Sequence, residues 1–340
     1  MKILVTGVAG FIGSSFAGHL LNKGHTVVGV DNLSYGDQRN LPKDHKFSFK
    51  QIDIRSNEMK DALIGIDTVF HFAGISSLPE CQSNPGEAIS VNVGGTANVL
   101  ECARLCNVSR VIVASTSALY ENNEKTPFLE TDGVQPDLIY SHSKLMCEEL
   151  TRNFSLNYGI PTRAIRFFNV YGPHQSYLRK SPPLLGYIMS CVLKNESPQF
   201  FSDGNQKRDY IYIDDLIDLL DKFTEEKING FEIYNACSGD LASVRDIYSE
   251  VQKQVTNSKV AVYSPSDGFW NNFPTLSTGI YPLNVERIRK EVNKLSLGSN
   301  KKAEQELGWK PRTQLSAGIS KILAYVQGNK NIIQDVEPGN

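Results

Sequence analysis

The chain has 340 residues, a formal net charge of −2, 40% hydrophobic residues and 21% charged residues. This length and balance predict a globular protein with a large core in two lobes, and the small net charge gives no reason to expect a nucleic-acid partner. The six cysteines include no C-x-x-C pair and no secretory signal or membrane span is evident, so we expect reduced thiols in the cytoplasm and no metal site.

Short apolar runs alternate with helical stretches in the first half of the chain. The runs that predict strands are 2–5, 26–30, 47–51, 68–72, 110–114 and 162–168. Residues 92–107 and 140–158 predict two long helices. This alternation is typical of a parallel sheet wrapped by helices, so we predict an α/β fold of the doubly wound Rossmann type.

The composition changes after Gly172, where prolines begin to punctuate short segments. We therefore predict a dinucleotide-binding domain made of residues 1–172 and about 206–240. A smaller α/β substrate domain would comprise residues 173–205 and 241–330.

Three glycines, Gly7, Gly10 and Gly13, lie between the first predicted strand and a helix. Glycines in that position let the backbone approach a pyrophosphate, whose charge meets the N–H groups of the helix. Asp31 ends the next apolar run, 18 residues after Gly13. A carboxylate there accepts hydrogen bonds from the adenosine ribose and repels a 2′-phosphate, which favours NAD over NADP. A plain glycine turn with a capping aspartate is the alternative.

Tyr140 is the only one of fourteen tyrosines with a lysine, Lys144, four residues later. The surrounding residues favour a helix, so both side chains would share one face. A phenol has a pKa near 10, and a tyrosine acts as a base near neutral pH only if positive charge lies close to it. The spacing therefore predicts a tyrosine base with a lysine beside it.

Ten motifs occur in the order found in one known family. They are Thr6-Gly7-x-x-Gly10-x-x-Gly13, Asp31-Asn32-Leu33-Ser34, Asp53-Ile54-Arg55, His71-Phe72-Ala73-Gly74, Asn92-Val93-x-Gly95-Thr96, Ser115-Thr116-Ser117, Tyr140-x-x-x-Lys144, Arg166-Phe167-Phe168-Asn169-Val170-Tyr171-Gly172-Pro173, Arg208-Asp209-Tyr210-Ile211-Tyr212-Ile213-Asp214-Asp215 and Glu306-Leu307-Gly308-Trp309-Lys310-Pro311. The chain thus resembles the extended short-chain dehydrogenase/reductases that act as NAD-dependent nucleotide-sugar epimerases and dehydratases. It is most similar to the UDP-glucose and UDP-N-acetylglucosamine 4-epimerases.

The resemblance implies a bound NAD and assigns roles to several residues. Asp31, Asn32 and Ser34 would hold the adenosine ribose, and Asp53 and Ile54 would flank the adenine. The other expected cofactor contacts are Gly7, Gly10, Phe11, Ile12, Gly13, Phe72, Ala73, Asn92, Ser115, Tyr140, Lys144 and Phe167.

The resemblance also implies a nucleotide-sugar site. Tyr140 would remove the proton of the sugar 4-hydroxyl, Thr116 would hydrogen-bond that hydroxyl, and Ser117 would assist. Arg208 and Arg289 would bind the diphosphate. The remaining expected substrate contacts are Asn169, Phe201 and Ser296.

The residues immediately after Thr116 indicate the reaction. The family's dehydratases and decarboxylases carry an acidic residue where this chain has Ser117 and Ala118. The resemblance therefore favours a 4-epimerase, with a nucleotide-sugar 4,6-dehydratase or a UDP-glucuronate decarboxylase or 4-epimerase as the alternative. A regulator that only senses NAD is the remote alternative, although such proteins commonly lose the pair that Tyr140 and Lys144 form here.

Ser296, seven residues after Arg289, indicates the sugar. The resemblance implies that a small residue there leaves room for a 2-acetamido group. We therefore expect UDP-N-acetylglucosamine and UDP-N-acetylgalactosamine as substrates, with UDP-glucose and UDP-galactose also accepted. Two features leave the sugar open. Segment 263–286 is longer than in the family and could rebuild the pocket, and Arg179 and Lys180 would suit a sugar carboxylate.

The family commonly forms dimers through the two long helices. Apolar positions on both helices, such as Val99, Leu100, Ala103, Leu145 and Leu150, predict the same for this chain. We expect a homodimer.

Overall fold

A computed structural model describes residues 1–175, 181–225, 229–256 and 258–329. The strands are β1 (Lys2–Thr6), β2 (Thr26–Asp31), β3 (Phe47–Gln51), β4 (Thr68–His71), β5 (Arg110–Thr116), β6 (Thr162–Phe167), β7 (Asn169–Tyr171), β8 (Gln199–Phe201), β9 (Lys207–Tyr212), β10 (Phe231–Ala236), β11 (Leu241–Ser243) and β12 (Val262–Ser264). The helices are α1 (Phe11–Asn22), α2 (Met59–Ala62), α3 (Leu78–Ser83), α4 (Pro85–Ile89), α5 (Gly95–Leu105), α6 (Ile139–Tyr158), α7 (Leu184–Lys194), α8 (Ile213–Glu225), α9 (Val244–Gln254), α10 (Val285–Asn293), α11 (Lys301–Leu307) and α12 (Leu315–Gly328). No helix among these residues is long and apolar enough to cross a membrane.

One seven-stranded sheet organises the fold, in the order β3-β2-β1-β4-β5-β6-β10. All its pairings are parallel. The strand order reverses between β1 and β4. In sheets of this kind, ligands bind in the crevice that this reversal leaves at the carboxyl ends of the strands. The doubly wound α/β fold that the sequence predicts is confirmed.

The central strands are buried because helices cover both faces of the sheet. Ile3, Leu4 and Val5 of β1 are fully buried, as are Val111 and Ile112 of β5. The sequence shows a continuous apolar run of this kind at β1, whereas β3 (Phe47–Gln51) alternates apolar and polar residues. The six predicted strands all form, with ends that differ from the prediction by no more than two residues.

The predicted helix at 92–107 begins differently. Residues Ser90–Gly94 form a π-helical turn that leads into α5. Such turns are rare and occur mostly at functional sites. This one places Asn92 so that its amide bonds both the N–H and the carbonyl of Ile75, at 2.8 and 3.1 Å.

The second half of the chain adds two small sheets. Strands β7, β9 and β11 form one, and β8 pairs in parallel with β12 in the other. Strand β10 returns to the edge of the main sheet beside β6. Residues 206–240, which the sequence analysis groups with the dinucleotide-binding domain, thus contain strands of two different sheets, β9 and β10. The division into domains stays a prediction.

The dimer prediction used residues that the protomer needs for its own core. Val99, Leu100 and Ala103 are fully buried between α5 and the sheet. The exposed large hydrophobic residues of α6 are Met146, Leu156 and Tyr158, at 39%, 70% and 57% exposure. Dimerisation through these helices stays a prediction, with the named α5 residues excluded from the contact.

A buried ion pair joins α6 to the sheet. The guanidinium of Arg166 on β6 donates to both carboxylate oxygens of Glu148, at 2.9 and 2.8 Å. Glu148 also accepts a hydrogen bond of 2.5 Å from the Ser115 hydroxyl at the end of β5. Burial alone would lower the pKa of Arg166, but the hydrogen bonds and charge of Glu148 raise it above its usual value.

Removing one partner of this pair should destabilise the fold. Glu148→Ala leaves Arg166 charged and unpaired in the interior, which typically costs about 3–5 kcal/mol. We expect the apparent Tm in thermal denaturation to fall by several degrees. The neighbouring Glu149→Ala is the control, because Glu149 is exposed and its ion pair with Arg152 is 4.0 Å long. Equal changes in Tm for the two variants would contradict a stabilising role for the buried pair.

Candidate functional site

A cleft of about 600 Å³ opens along the carboxyl ends of the parallel strands. It runs from the loops after β1 and β2, past the N-terminal end of α6, to the last turn of α10. The sequence-predicted residues that line it are Gly7, Gly10, Phe11, Ile12, Gly13, Asp31, Asn32, Ser34, Asp53, Ile54, Phe72, Ala73, Ser115, Thr116, Ser117, Tyr140, Lys144, Phe167, Asn169, Arg208 and Ser296.

The glycine loop between β1 and α1 has no room for side chains. Gly7 has a φ of +69°, and a Cβ on it would lie 2.8 Å from the backbone nitrogen of Ala73. A Cβ on Gly13 would collide with the carbonyl of Gly7. The N-cap of α1 is Gly10, which brings no side chain to the first N–H groups of the helix. The loop therefore fits a dinucleotide pyrophosphate held by backbone N–H groups.

Asp31 links this loop to the end of β2. Its carboxylate accepts hydrogen bonds from the N–H groups of Ala9, at 3.0 Å, and Leu33, at 2.8 Å. Burial raises the pKa of Asp31, and these two hydrogen bonds oppose the rise. A carboxylate fixed at this corner can accept hydrogen bonds from ribose hydroxyls.

Arg55 closes the same end of the cleft. Its guanidinium bonds Asp53 at 2.8 Å and Glu87 at 3.0 Å. The bond from Arg55 lowers the pKa of Asp53 to about 2. With two carboxylates as partners, Arg55 adds no net positive charge for an anionic ligand.

Helix α6 carries Tyr140 and Lys144 one turn apart, and both side chains line the middle of the cleft. The Lys144 ammonium donates to the carbonyl of Ala114 on β5 at 3.0 Å. Burial lowers the pKa of Lys144. The aromatic ring of Tyr140 packs with Ala118 and Ile75. The predicted pair thus occupies one wall of the cleft, next to the strand end that carries the hydroxyl residues.

The hydroxyls of residues 115–117 face different environments. The Ser115 hydroxyl donates to Glu148, so its proton is committed to the interior. The Thr116 oxygen accepts the N–H of Ala118 at 3.1 Å, and a threonine hydroxyl in that role still has a proton to donate. Thr116 and Ser117 both line the cleft. These two residues are therefore suited to hydrogen-bond a ligand hydroxyl beside Tyr140.

His71 lies beneath the cleft floor as a neutral side chain. Burial lowers its pKa to about 3. Its ring nitrogens bond the hydroxyls of Thr6 at 2.7 Å and Thr96 at 3.1 Å. The Thr6 oxygen in turn accepts the N–H groups of Phe72 and Ala73. This chain of hydrogen bonds fixes the backbone opposite the glycine loop.

The far end of the cleft holds Arg208 and Ser296. The backbone of Ser296 bonds on both sides of Arg208, accepting from the N–H of Asp209 at 2.8 Å and donating to the carbonyl of Lys207 at 3.2 Å. The Arg208 guanidinium donates to the carbonyls of Lys294 and Glu291, each at 2.6 Å. This end therefore combines a fixed cation with a small side chain.

Three predicted contacts do not line the cleft. Asn92 is buried behind it, where its amide holds Ile75. Phe201 packs against the ring of Phe269, with centroids 5.4 Å apart. Arg289 points away from the cleft and bonds both carboxylate oxygens of Asp267 at 2.7 Å. Arg289 therefore does not lie where the expected contact with a diphosphate would require it.

Segment 263–286 does not line the cleft either. Its Trp270, Phe273 and Leu276 form a small core with Leu138, the residue before α6, and Ile288 of α10. The segment therefore supports the cleft from behind and does not rebuild its surface. Arg179 and Lys180 lie outside the described residues.

Glu121 caps α6, whose N-cap residue Leu138 offers no hydrogen-bonding side chain. The Glu121 carboxylate accepts the N–H groups of Asp137 and of Leu138, the latter at 2.9 Å, and the hydroxyl of Ser141 at 2.9 Å. Burial raises the pKa of Glu121, and the bonds from Leu138 and Ser141 oppose the rise. The start of the helix that carries Tyr140 is thus held by a residue from the segment after Thr116.

Besides Arg55 and Glu87, the sequence analysis missed two further charged residues in the cleft, Glu291 and Lys294. Their side chains pair at 2.7 Å beside Arg208. A usable signal was present, since Ile288 and Val292 are apolar residues four apart and predict which face of α10 is buried. Because Ile288 and Val292 are buried, Arg289 lies on the outer face of α10. Lys294 is the first residue after the helix ends.

Comparison with known proteins agrees with this geometry. A putative UDP-glucose 4-epimerase of Methanocaldococcus jannaschii is 30% identical, over 96% of this chain and 99% of the relative. A UDP-N-acetyl-alpha-D-glucosaminuronate decarboxylase of Bacillus cytotoxicus is 31% identical, over 86% of this chain and 90% of the relative. The crystal structure of a UDP-glucose 4-epimerase from Thermotoga maritima, with UDP-glucose, matches with a TM-score of 0.86 and 28% identity, over 97% of this chain and 100% of that one.

The family model that matches covers residues 3–237, which include the glycine loop, both long helices and the Tyr140–Lys144 pair. With a matching family over more than half of the sequence and a full-length relative at 30% identity, the chain belongs to the NAD dependent epimerase/dehydratase family.

Proposed function

We propose that the protein is an NAD-dependent 4-epimerase of a nucleotide-diphospho-sugar. The observation that carries the proposal is the grouping of Tyr140, Thr116 and Ser117 on one wall of the cleft, with the apolar Ala118 against the tyrosine ring. With a nicotinamide as hydride acceptor and donor, a base and hydrogen-bonding hydroxyls are sufficient to oxidise and re-reduce one carbinol. Elimination or decarboxylation would be served by a further acidic group, and the residues at 117 and 118 carry none.

Each residue of the site has its own part in this reaction. Tyr140 takes the proton of the sugar 4-hydroxyl and later returns it, while Thr116 and Ser117 hold that hydroxyl in position. The charge of Lys144 favours the deprotonated phenol. NAD, when bound, supplies hydride exchange at C4, and the sugar passes through a 4-keto form before it is reduced on its other face. Arg208 retains the diphosphate while the sugar turns.

We propose UDP-N-acetylglucosamine and UDP-glucose, with their C4 epimers, as substrates. The small side chain of Ser296 beside Arg208 supports room for a 2-acetamido group. A uronate substrate is the second candidate, and the similarity to a UDP-N-acetyl-glucosaminuronate decarboxylase is the finding that favours it. A dehydratase or decarboxylase activity would give a product other than the C4 epimer, so product analysis separates these activities.

Tyr140→Phe tests the mechanism. Loss of the acid–base group should reduce turnover by about 10²–10⁴-fold, with NAD content and thermal stability retained. Turnover is measured by NMR on a panel of UDP-, dTDP-, GDP- and CDP-sugars, including UDP-glucuronate. Tyr158→Phe, on the exposed end of the same helix, is the control. Near-normal turnover in Tyr140→Phe, or a dehydrated or decarboxylated product from the wild type, would rule out the proposed reaction.

Glu121→Ala tests whether the cap on α6 positions Tyr140. Loss of a cap typically costs about 1 kcal/mol of helix stability, so we expect kcat to fall about fivefold with KM nearly unchanged. Glu121→Gln keeps an accepting oxygen and should recover most of the loss. Glu124→Ala, in the same loop and exposed, is the control. A change in KM alone, or no rescue by glutamine, would argue against a positioning role.

Ser296→Tyr tests the sugar assignment. A phenol beside Arg208 should crowd a 2-acetamido group and leave a 2-hydroxyl tolerable. Activity on UDP-N-acetylglucosamine should then fall at least about tenfold more than activity on UDP-glucose. Leu295→Tyr is the control, because Leu295 is 44% exposed and does not contribute to the cleft. Equal losses on both substrates would mean that Ser296 does not border the C2 substituent.

A further inference from the structure

An anionic side chain occupies the end of the cleft where the proposed substrate would place its diphosphate. One carboxylate oxygen of Glu291 lies 2.7 Å from the Lys294 ammonium, and the other lies 3.7 Å from the Arg208 guanidinium. The side chains are 11% exposed for Glu291 and 16% for each of the two cations. All three line the cleft.

The charges of this cluster do not match a diphosphate. Arg208 and Lys294 contribute two positive charges and Glu291 removes one, whereas the diphosphate bridge of a nucleotide-sugar carries about two negative charges. A carboxylate and a phosphate also seek the same donors, because both bind guanidinium and ammonium groups through anionic oxygens. Glu291 and the diphosphate therefore compete for Arg208 and Lys294 at close range.

Main-chain contacts hold Arg208 independently of this carboxylate. Its guanidinium donates to the carbonyls of Lys294 and Glu291 at 2.6 Å, so the cation stays in the cleft whatever the Glu291 side chain does. The other cation considered for the diphosphate, Arg289, is bound to Asp267 and Glu286 outside the cleft. Among the residues that the structure describes, the cations that pair with Glu291 on the cleft side are thus Arg208 and Lys294.

We propose that Glu291 is an internal counter-ion that the diphosphate of the substrate displaces from Lys294 and Arg208, and that Lys294 is the second cation of the diphosphate site. The inference rests on the proposed function, since it needs a nucleotide diphosphate in the cleft. Glu291 lowers the affinity for nucleotide and thereby favours release of the product. Removing the charge of Glu291 therefore tightens nucleotide binding, whereas removing a residue that contacts the ligand would weaken it.

The test is calorimetric titration of the NAD-loaded full chain with UDP and with uridine, which lacks phosphates. Glu291→Gln should bind UDP at least about tenfold more tightly than the wild type and leave the affinity for uridine unchanged. Lys294→Gln should weaken UDP binding by a similar factor. Glu286→Gln is the matched control, because Glu286 lies on the same helix and pairs with Arg289 outside the cleft. Thermal unfolding of each variant verifies that the fold is kept.

Each other result overturns the inference. Weaker binding of both UDP and uridine by Glu291→Gln would make Glu291 a nucleoside contact. Unchanged UDP binding would mean that the carboxylate and the diphosphate do not compete, and in both cases the proposed function stands. If the wild type binds none of UDP, dTDP, GDP and CDP, the proposed function and this inference fail together.

Discussion

The contact on which the site depends is the buried charged face of α6 against the ends of β5 and β6. Lys144 and Glu148 lie one turn apart on that face, and both are almost fully buried. Lys144 donates to Ala114, and Glu148 accepts from Ser115 and Arg166. Two adjacent strand residues are thus bonded by two successive turns of the helix. Charged groups tolerate burial only with partners in good geometry, so the helix cannot slide or rotate without leaving one of them unpaired.

This fixed register determines where Tyr140 lies relative to the hydroxyls of Thr116 and Ser117. Tyr140 is one turn before Lys144, and Thr116 comes directly after the strand residue that Glu148 holds. Glu121 fixes the N-terminal end of the same helix, close to Tyr140. Glu121 lies in the segment that follows Thr116. In the proposed reaction, the base and its hydrogen-bonding partners must keep their spacing through proton transfer in both directions, and the packing would provide that spacing before a ligand binds.

The same loop couples α6 to the second half of the chain. Asp137 pairs with Arg287 and Asn122 accepts from Lys290, so two side chains of α10 contact the segment between β5 and α6. The last turn of α10 carries Glu291 into the cleft. Movement of α10 at the Arg208 end of the cleft would therefore be transmitted to the start of the helix that bears Tyr140.

The sequence predicts the parts of this arrangement that local physics determines. Continuous apolar runs identify strands such as β1, and Gly7 and Gly13 mark a loop where the structure leaves no space for a Cβ. Lys144 is predictable from its spacing to Tyr140. The end of the cleft that holds Arg208 is not, because the resemblance points to Arg289 and the fold places that residue outside the cleft. Segment 263–286 builds its own apolar core from Trp270 and Phe273, and the packing of Ile288 and Val292 into that core turns Arg289 towards solvent.

The backbone of Ser296 is bonded to the residues on both sides of Arg208. Under the proposed function, these bonds fix the sugar contact at 296 relative to the cation that would bind the diphosphate. The sugar preference would then change with side-chain size at 296 and not by moving one contact relative to the other.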